Sequence, residues 1–170
     1  MTTVEDKNNV DKYLKILEDL CTYGVRVGVL SKAGGEILMI ANVHEYGCNI
    51  PVTSKMRGYF LYNFNVWIPE DTLTIKIPER SFIRASYDVN KSKFEKFDDL
   101  FGATLDGKLE VRDFYKIVGA ACVDMIKNYI RDGLKPELSS LTLENKTPKT
   151  KPLIDSGRLI NAIDYEVIRI

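Results

Sequence analysis

The chain has 170 residues, with 24 basic and 24 acidic side chains and one histidine, so its formal net charge at pH 7 is zero. That balance excludes a bulk electrostatic drive toward nucleic acid or anionic membrane. No apolar run approaches the roughly 18 residues of a spanning helix, and no charged n-region followed by an apolar h-region opens the chain, so a soluble protein made in a cytoplasm is expected.

The length suits a single domain over residues 1–170 that buries its own core without disulfides or metals. In chain order, residues 4–22 place Val10, Tyr13, Leu14, Ile16, Leu17, Leu20 and Cys21 at a recurrence near 3.6, which predicts an amphipathic helix packed on a sheet and ended at Gly24. Val25 to Leu30 reads as a strand, and Lys32-Ala-Gly-Gly-Glu36 as a flexible connection. Ile37 to Tyr46 fits both a helical face and a buried strand; the helix ended by Gly47 is preferred. From Ile50 to Ile77 β-branched and aromatic residues accumulate. Tyr59, Leu61, Asn63, Asn65 and Trp67 fall on one alternation phase, and Phe60, Tyr62, Phe64, Val66 and Ile68 on the other. With a turn at Pro69-Glu70-Asp71-Thr72, these predict a long β-hairpin over about 58–78.

Beyond Pro78, the aromatic-rich stretch Arg80 to Phe101 predicts a helix, broken at Thr104-Leu-Asp-Gly107, with Asp106 as a candidate N-cap for the next. Val111, Phe114, Tyr115, Val118, Ala121, Cys122, Met125, Ile126 and Tyr129 then mark the clearest helix, with Gly133 and Pro136 beyond its end. Gly119 inside that helix points to close approach of another backbone. Residues 134–151 are polar and read as a long loop. Pro152 with Asp155 or Ser156 suggests a capped turn, and Ile163, Tyr165, Val167 and Ile170 alternate as a terminal strand. The fold expected is α+β: a mainly antiparallel sheet containing the long hairpin, built from segments near 25–30, 58–68, 72–78 and 163–170. Two or three amphipathic helices, near 4–22, 81–101 and 110–132, cover it.

Motifs for chemistry are sparse. His44-Glu45 is not followed by the second histidine of H-E-x-x-H, and position 48 is Cys48, leaving too few ligands for a metal site. Gly34-Gly35 lacks phosphate-loop spacing, Asp155-Ser156-Gly157 lacks the nucleophile elbow, and Cys21, Cys48 and Cys122 lack C-x-x-C spacing and read as reduced thiols. No catalytic residue, cofactor or metal is expected. Two basic groups stand out: Lys135, Lys146, Lys149 and Lys151 in the long loop, and Arg80, Arg84, Lys91, Lys93 and Lys96 near the preceding helix. Ordinary solvated charge is the commoner meaning of such groups.

Four segments carry a resemblance. Val27-Gly28-Val29, Ile40-Ala-Asn-Val-His-Glu-Tyr-Gly47, Ile77-Pro-Glu-Arg-Ser-Phe-Ile-Arg84, and Pro152-Leu-Ile-Asp-Ser-Gly-Arg-Leu159 followed by Ile163-Asp-Tyr-Glu-Val167 resemble, in that order, the tail-completion or head–tail neck proteins of long-tailed bacteriophages. The stretch from Tyr59 to Thr74 departs from that pattern by being longer and more aromatic. The resemblance implies a virion protein assembled in the host bacterial cytoplasm and located at the neck of a phage or tail-like particle. Its copies would form a ring, a hexamer or a dodecamer, joining a capsid-side connector to a tail terminator or tail tube protein, with packaged DNA passing through the lumen and no membrane involved. Tyr59, Tyr62, Phe64, Trp67, Leu138 and Leu141 are the expected interface residues, and Lys135, Lys146, Lys149 and Lys151 the expected channel lining. Rival readings are a small hydrolase or nuclease using His44 and Glu45, and a monomeric nucleic-acid-binding module that uses the basic loop and stacks bases on the hairpin aromatics.

Overall fold

A computed structural model describes residues 9–138, 152–154 and 156–170. The fold is α+β, as expected. Seven α-helices, α1 (Val10–Thr22), α2 (Gly35–Tyr46), α3 (Ser54–Phe64), α4 (Arg84–Asn90), α5 (Asp98–Leu105), α6 (Val111–Asp132) and α7 (Arg158–Asn161), accompany four strands among the described residues. The strands are β1 (Tyr23–Val29), β2 (Cys48–Pro51), β3 (Thr74–Ile77) and β4 (Ile163–Arg169).

The first and last strands form the main ladder. β1 runs antiparallel to β4 with Val25 opposite Val167, Val27 opposite Tyr165 and Val29 opposite Ile163, so β-branched and aromatic side chains meet across the strands. The 22-residue helix α6 lies across this ladder, and Gly119 is the reason it lies so close. A Cβ added there would stand 2.5 Å from the Tyr165 ring and 2.8 Å from Val25 Cγ2. The close approach read from the sequence is therefore made to side chains of the sheet and not to another backbone. The core gathers at the end of this layer: Phe82, Ile130 and Ile163 are fully buried, with Ile37, Ala41, Val123, Ile126, Leu159 and Ile160 around them.

Several boundaries differ from the sequence reading. α1 stops at Thr22 and passes directly into β1 through extended Tyr23, so Gly24 lies inside the strand and ends nothing. The helix expected over 81–101 is divided: α4, a 3-10 stretch at Lys91–Phe97, and α5, which runs on to Leu105. Buried Asn90 donates its side-chain amide to Ser86 O at 2.8 Å, and the 3-10 geometry that follows eclipses residues three apart. That stacking brings Phe94 onto Phe97 (5.7 Å between centroids), and Phe94 also meets Tyr87 of α4 (5.5 Å). Asp106 follows α5 and caps no later helix; α6 is preceded by Glu110, whose side chain makes no capping bond. Gly157, in the left-handed region at φ 77°, introduces α7 without a side-chain cap, so Ser156 does not serve there, and Asp155 lies outside the described residues. Gly47 after α2 (φ 69°) and Gly133 after α6 (φ 102°) do end their helices as read.

The largest correction concerns the hairpin. Residues 58–68 are not a strand: Ser54–Phe64 is helical, and the only ladder in this region pairs β2 with β3, Cys48 opposite Ile77 and Ile50 opposite Ile75. Both sheets are antiparallel but each has two strands, so no single four-stranded sheet forms among the described residues. The physical reason lies in the ends of the segment. Thr53 is an N-cap whose hydroxyl accepts from Met56 N–H (3.2 Å), and Asn65 takes a left-handed conformation (φ 53°) that closes the last turn onto Leu61 O. Apolar residues on both alternation phases describe a helix clad in aromatic groups as well as they describe a two-faced strand.

Replacing Gly119 by Ala tests the layer contact. The gain in helix propensity is about 1 kcal/mol, and the forced separation from Tyr165 and Val25 costs more, as overpacking does. The expected result is a net loss of about 1 to 2 kcal/mol, read from the midpoint of urea unfolding.

Candidate functional site

The one histidine and its neighbouring carboxylate belong to a structural knot. Glu45, in the last turn of α2 and only 4% exposed, reaches across to the start of α4. Its Oε2 accepts from Phe82 N–H (2.8 Å) and Ile83 N–H (3.0 Å), and its Oε1 from Ser81 Oγ (2.7 Å), Arg84 N–H (3.1 Å) and Arg84 Nε (3.1 Å). Three of these donors are backbone N–H groups at the beginning of a helix, which have no intrahelical partner and carry the positive end of its dipole. The carboxylate thus satisfies them from another element. Burial pushes the Glu45 carboxyl up, but the bonds from Ile83, Ser81, Arg84 and Phe82 outweigh it and leave the group below its ordinary value of 4.5.

The surrounding motif residues complete the knot. Arg84 also donates through Nη2 to Glu45 O (2.7 Å) and Glu79 Oε1 (2.8 Å), and its guanidinium sits 4.6 Å from the centre of the Tyr46 ring. Arg80 N–H donates to His44 O (2.8 Å). The Arg80 side chain, nearly buried, donates through Nε to Pro136 O (2.7 Å) and through Nη2 to Glu137 O (2.9 Å). Gly47 admits no side chain, since a Cβ would stand 2.9 Å from Glu79 N and 3.0 Å from Ile77 O. His44 is half-buried with Nδ1 enclosed and unpartnered among the described residues; burial, and then the charge of Arg80, hold its pKa below 6.5. A hydrolytic dyad needs a carboxylate with a free lone pair beside the imidazole, whereas each Glu45 oxygen already accepts from at least two donors. Cys48 begins β2 beyond Gly47, so it does not share a helical turn with His44. No group of three metal-ligating side chains occurs among the described residues.

The unusual surface is elsewhere. Between β2 and β3 the chain makes an arm, residues 52–73, consisting of α3 and a return segment. The arm is held to itself by Arg57, whose guanidinium donates to Ile68 O (2.9 Å), Pro69 O, Glu70 O (3.2 Å) and Thr72 O (3.0 Å), and it is closed at its base by Val52 N–H to Leu73 O (2.9 Å). Tyr59, Phe60 and Phe64 pack ring to ring at 5.8 to 6.0 Å. Yet no residue of α3 is buried. Tyr62 is 90% exposed and Trp67 67%, with Tyr59, Leu61, Phe64 and Leu73 also exposed.

The structure therefore brings Tyr59, Tyr62, Phe64 and Trp67 onto one arm, by a helical route and not as strand residues. Leu138 is half-buried at the edge of the described residues. Leu141, Lys146, Lys149 and Lys151 lie outside them, and Lys135 is exposed. In the second basic group, Arg80 and Arg84 are engaged in the knot while Lys91, Lys93 and Lys96 are exposed. Sequence reasoning missed a second apolar surface, formed by Tyr13, Leu14 and Leu17 of α1, which stand out to solvent. Their three-and-four spacing was visible; which face of the helix would be covered was not. No family model, no curated protein and no solved structure matches the chain.

Glu45→Gln keeps the size of the side chain but turns a donor group toward N–H groups. A loss of about 3 kcal/mol at pH 7 is expected, as for breaking a buried charged pair. The lowered carboxyl contributes stability that is complete above pH 4.5 and is lost as pH falls through the folded-state value. The difference between wild type and variant, measured by urea unfolding, should therefore shrink as the pH is taken well below 4.5; a constant difference down to acid pH would contradict the assignment.

Proposed function

We propose that this protein is a structural subunit of the neck, or tail-completion position, of a long-tailed phage or tail-like particle, and that it has no catalytic role. Copies join by heterologous contacts into a closed ring that bridges a capsid-side connector and the tail, leaving a lumen for DNA. The observation carrying the assembly part is the arm: a helix without one buried position, bearing the aromatic side chains Tyr59, Phe60, Tyr62 and Phe64. An isolated helix of this length is marginal in water, and aromatic anchors of this kind dominate contacts between proteins.

The phage part rests on the four resembling segments, and their placement supports treating them as one unit. Val27-Gly28-Val29 pairs with Ile163, Asp164 and Tyr165. Glu45 grips Ser81 to Arg84. Arg158 holds Glu36 at the start of α2 through two bonds, 3.1 and 2.8 Å. Residues distant in sequence thus meet around a common core, to which Ala41, Phe82, Leu159 and Ile163 each contribute. No helix among the described residues is long and apolar enough to cross a membrane. Lumen-facing lysines remain part of the proposal, since repetition around a ring multiplies a small local charge.

Sedimentation of the purified chain, of 19.4 kDa per subunit, tests the reading. Wild type should sediment as a closed multiple of the subunit mass, and the double variant Tyr62→Ser, Trp67→Ser as the single subunit with an unchanged circular dichroism spectrum. A wild type that stays a single subunit at all concentrations, and binds single-stranded DNA in a salt-sensitive manner, would favour the nucleic-acid module instead.

A further inference from the structure

The main ladder stops at two strands, and the outer edge of β4 is bare. Ile170 N–H donates to Thr22 O (2.8 Å) just beyond the end of the ladder. In the register of β1 and β4, the even-numbered residues of β4 therefore exchange bonds with β1, and the N–H and C=O groups of Tyr165, Val167 and Arg169 point away from it. Asp164 Oδ1 accepts from Tyr165 N–H (2.8 Å). The Tyr165 C=O and both backbone groups of Val167 and Arg169 have no partner among the described residues. Proline, lysine and bulges are usual guards of an edge strand, and β4 has none of them. We infer that this edge is an interface in which β4 pairs antiparallel with β4 of a second copy, joining two ladders into one four-stranded sheet.

Register, charge and helix spacing select a second copy as the occupant. A two-fold contact sets the same strand against itself about one centre. Only a centre at Val167 pairs the open residues among themselves, Val167 with Val167 and Arg169 with Tyr165, and it sets Glu166 opposite Ile168 and Asp164 opposite Ile170. A centre at Tyr165 would set Asp164 opposite Glu166, and one at Glu166 would set that carboxylate opposite itself; like charges directly opposite are destabilising. Within the Val167 register Glu166 keeps Arg26 (3.1 Å), and Asp164 keeps Lys32 and the Tyr165 N–H. The new bonds run between the two Val167 residues, and from each Arg169 N–H to the Tyr165 C=O of the other copy. The covering helix also fits. Gly119 lies against both Val25 and Tyr165, so α6 sits over the seam of β1 and β4. In the joined sheet the two α6 axes stand two strand spacings apart, about 10 Å, within the distance at which helices pack. The α6 flank on this side is marked by Lys127, whose charge acts on Asp164. Helical spacing adds exposed Ala120 with Asp113, Lys116, Asp124 and Arg131 to that flank. Charges of both signs around a small residue leave room for close approach.

One strand edge and one helix flank make a contact smaller than the roughly 800 Å² per partner of a stable one, so dilute free subunits stay single and concentrated ones pair. The contact is isologous and does not depend on the ring reading. Its test uses the Tyr62→Ser, Trp67→Ser protein, which lacks the arm aromatics, at rising concentration. Sedimentation should move from 19.4 kDa toward twice that mass as the protein approaches about 1 mM, the scale of a weak contact. Over the same range amide exchange at Val167 and Arg169 should slow, while Val25 on the far edge of β1 is unchanged. In a Cys21→Ser, Cys48→Ser background, copies carrying Glu166→Cys mixed with copies carrying Ile168→Cys should oxidise to a mixed disulfide, and neither alone should link. Val167→Pro removes an outward N–H and no ladder bond, as edge proline does, and should abolish the doubling with an unchanged circular dichroism spectrum. A mass that stays single up to that concentration would overturn the pairing. So would a doubling that leaves Val167 and Arg169 exchanging as before, or a disulfide that forms as readily in either variant alone. The ring reading is tested separately, by the mass of the dilute wild type.

Discussion

The Glu45 carboxylate is the interaction on which the rest of this structure depends. It is a buried anion, and a buried anion is costly unless its lone pairs are filled. Here they are filled by the unpartnered N–H groups that open α4, by Ser81 and by Arg84. The bonds are charge-assisted and hence stronger than neutral ones, and they join two elements that share no strand. Phe82, fully buried, is delivered to the core by the same backbone that donates to Glu45. Arg80, two residues earlier, pins residues 136 and 137. The carboxylate therefore fixes α2 against the start of α4, and Arg80 beside it fixes the segment leaving α6.

This knot has a functional consequence. A His-Glu pair draws the eye as chemistry, but the carboxylate is already engaged by five donors, while burial and then Arg80 hold the His44 pKa below its ordinary value. What the knot leaves free is the arm. Residues 48–51 and 74–77 leave and re-enter the body as a short ladder, and everything between them is organised by Arg57 and by the aromatic rings themselves. A segment held together by its own bonds, with Ile68 its one buried side chain, is suited to docking with little reorganisation, which lowers the entropic cost of association.

The helical periodicity of α6, the short helix ended by Gly47, the terminal strand and the closeness marked by Gly119 were legible in the chain, because each follows from local spacing or from a glycine that nothing else replaces. The aromatic residues of the proposed interface were legible too, though in the wrong secondary structure. Residues 58–68 carry apolar groups on both phases, and period-2 counting cannot separate a two-faced strand from a short aromatic helix; Thr53 and Asn65 hold the deciding signal at the ends. The single helix expected across 81–101 failed for a similar reason, since the break at Asn90 comes from a buried side-chain bond to Ser86.

The sequence by itself determined which residues are apolar, where glycine must stand, and that charge as a whole favours no partner, because these are properties of single residues and short spacings. Only the tertiary structure decided that Glu45 reaches Ser81 to Arg84, that β1 pairs with a strand far from it in sequence, and that Tyr62 and Trp67 find no cover within the chain. Those outcomes depend on contacts between residues far apart in the chain, whose closeness is set by packing the whole core and is written in no local pattern.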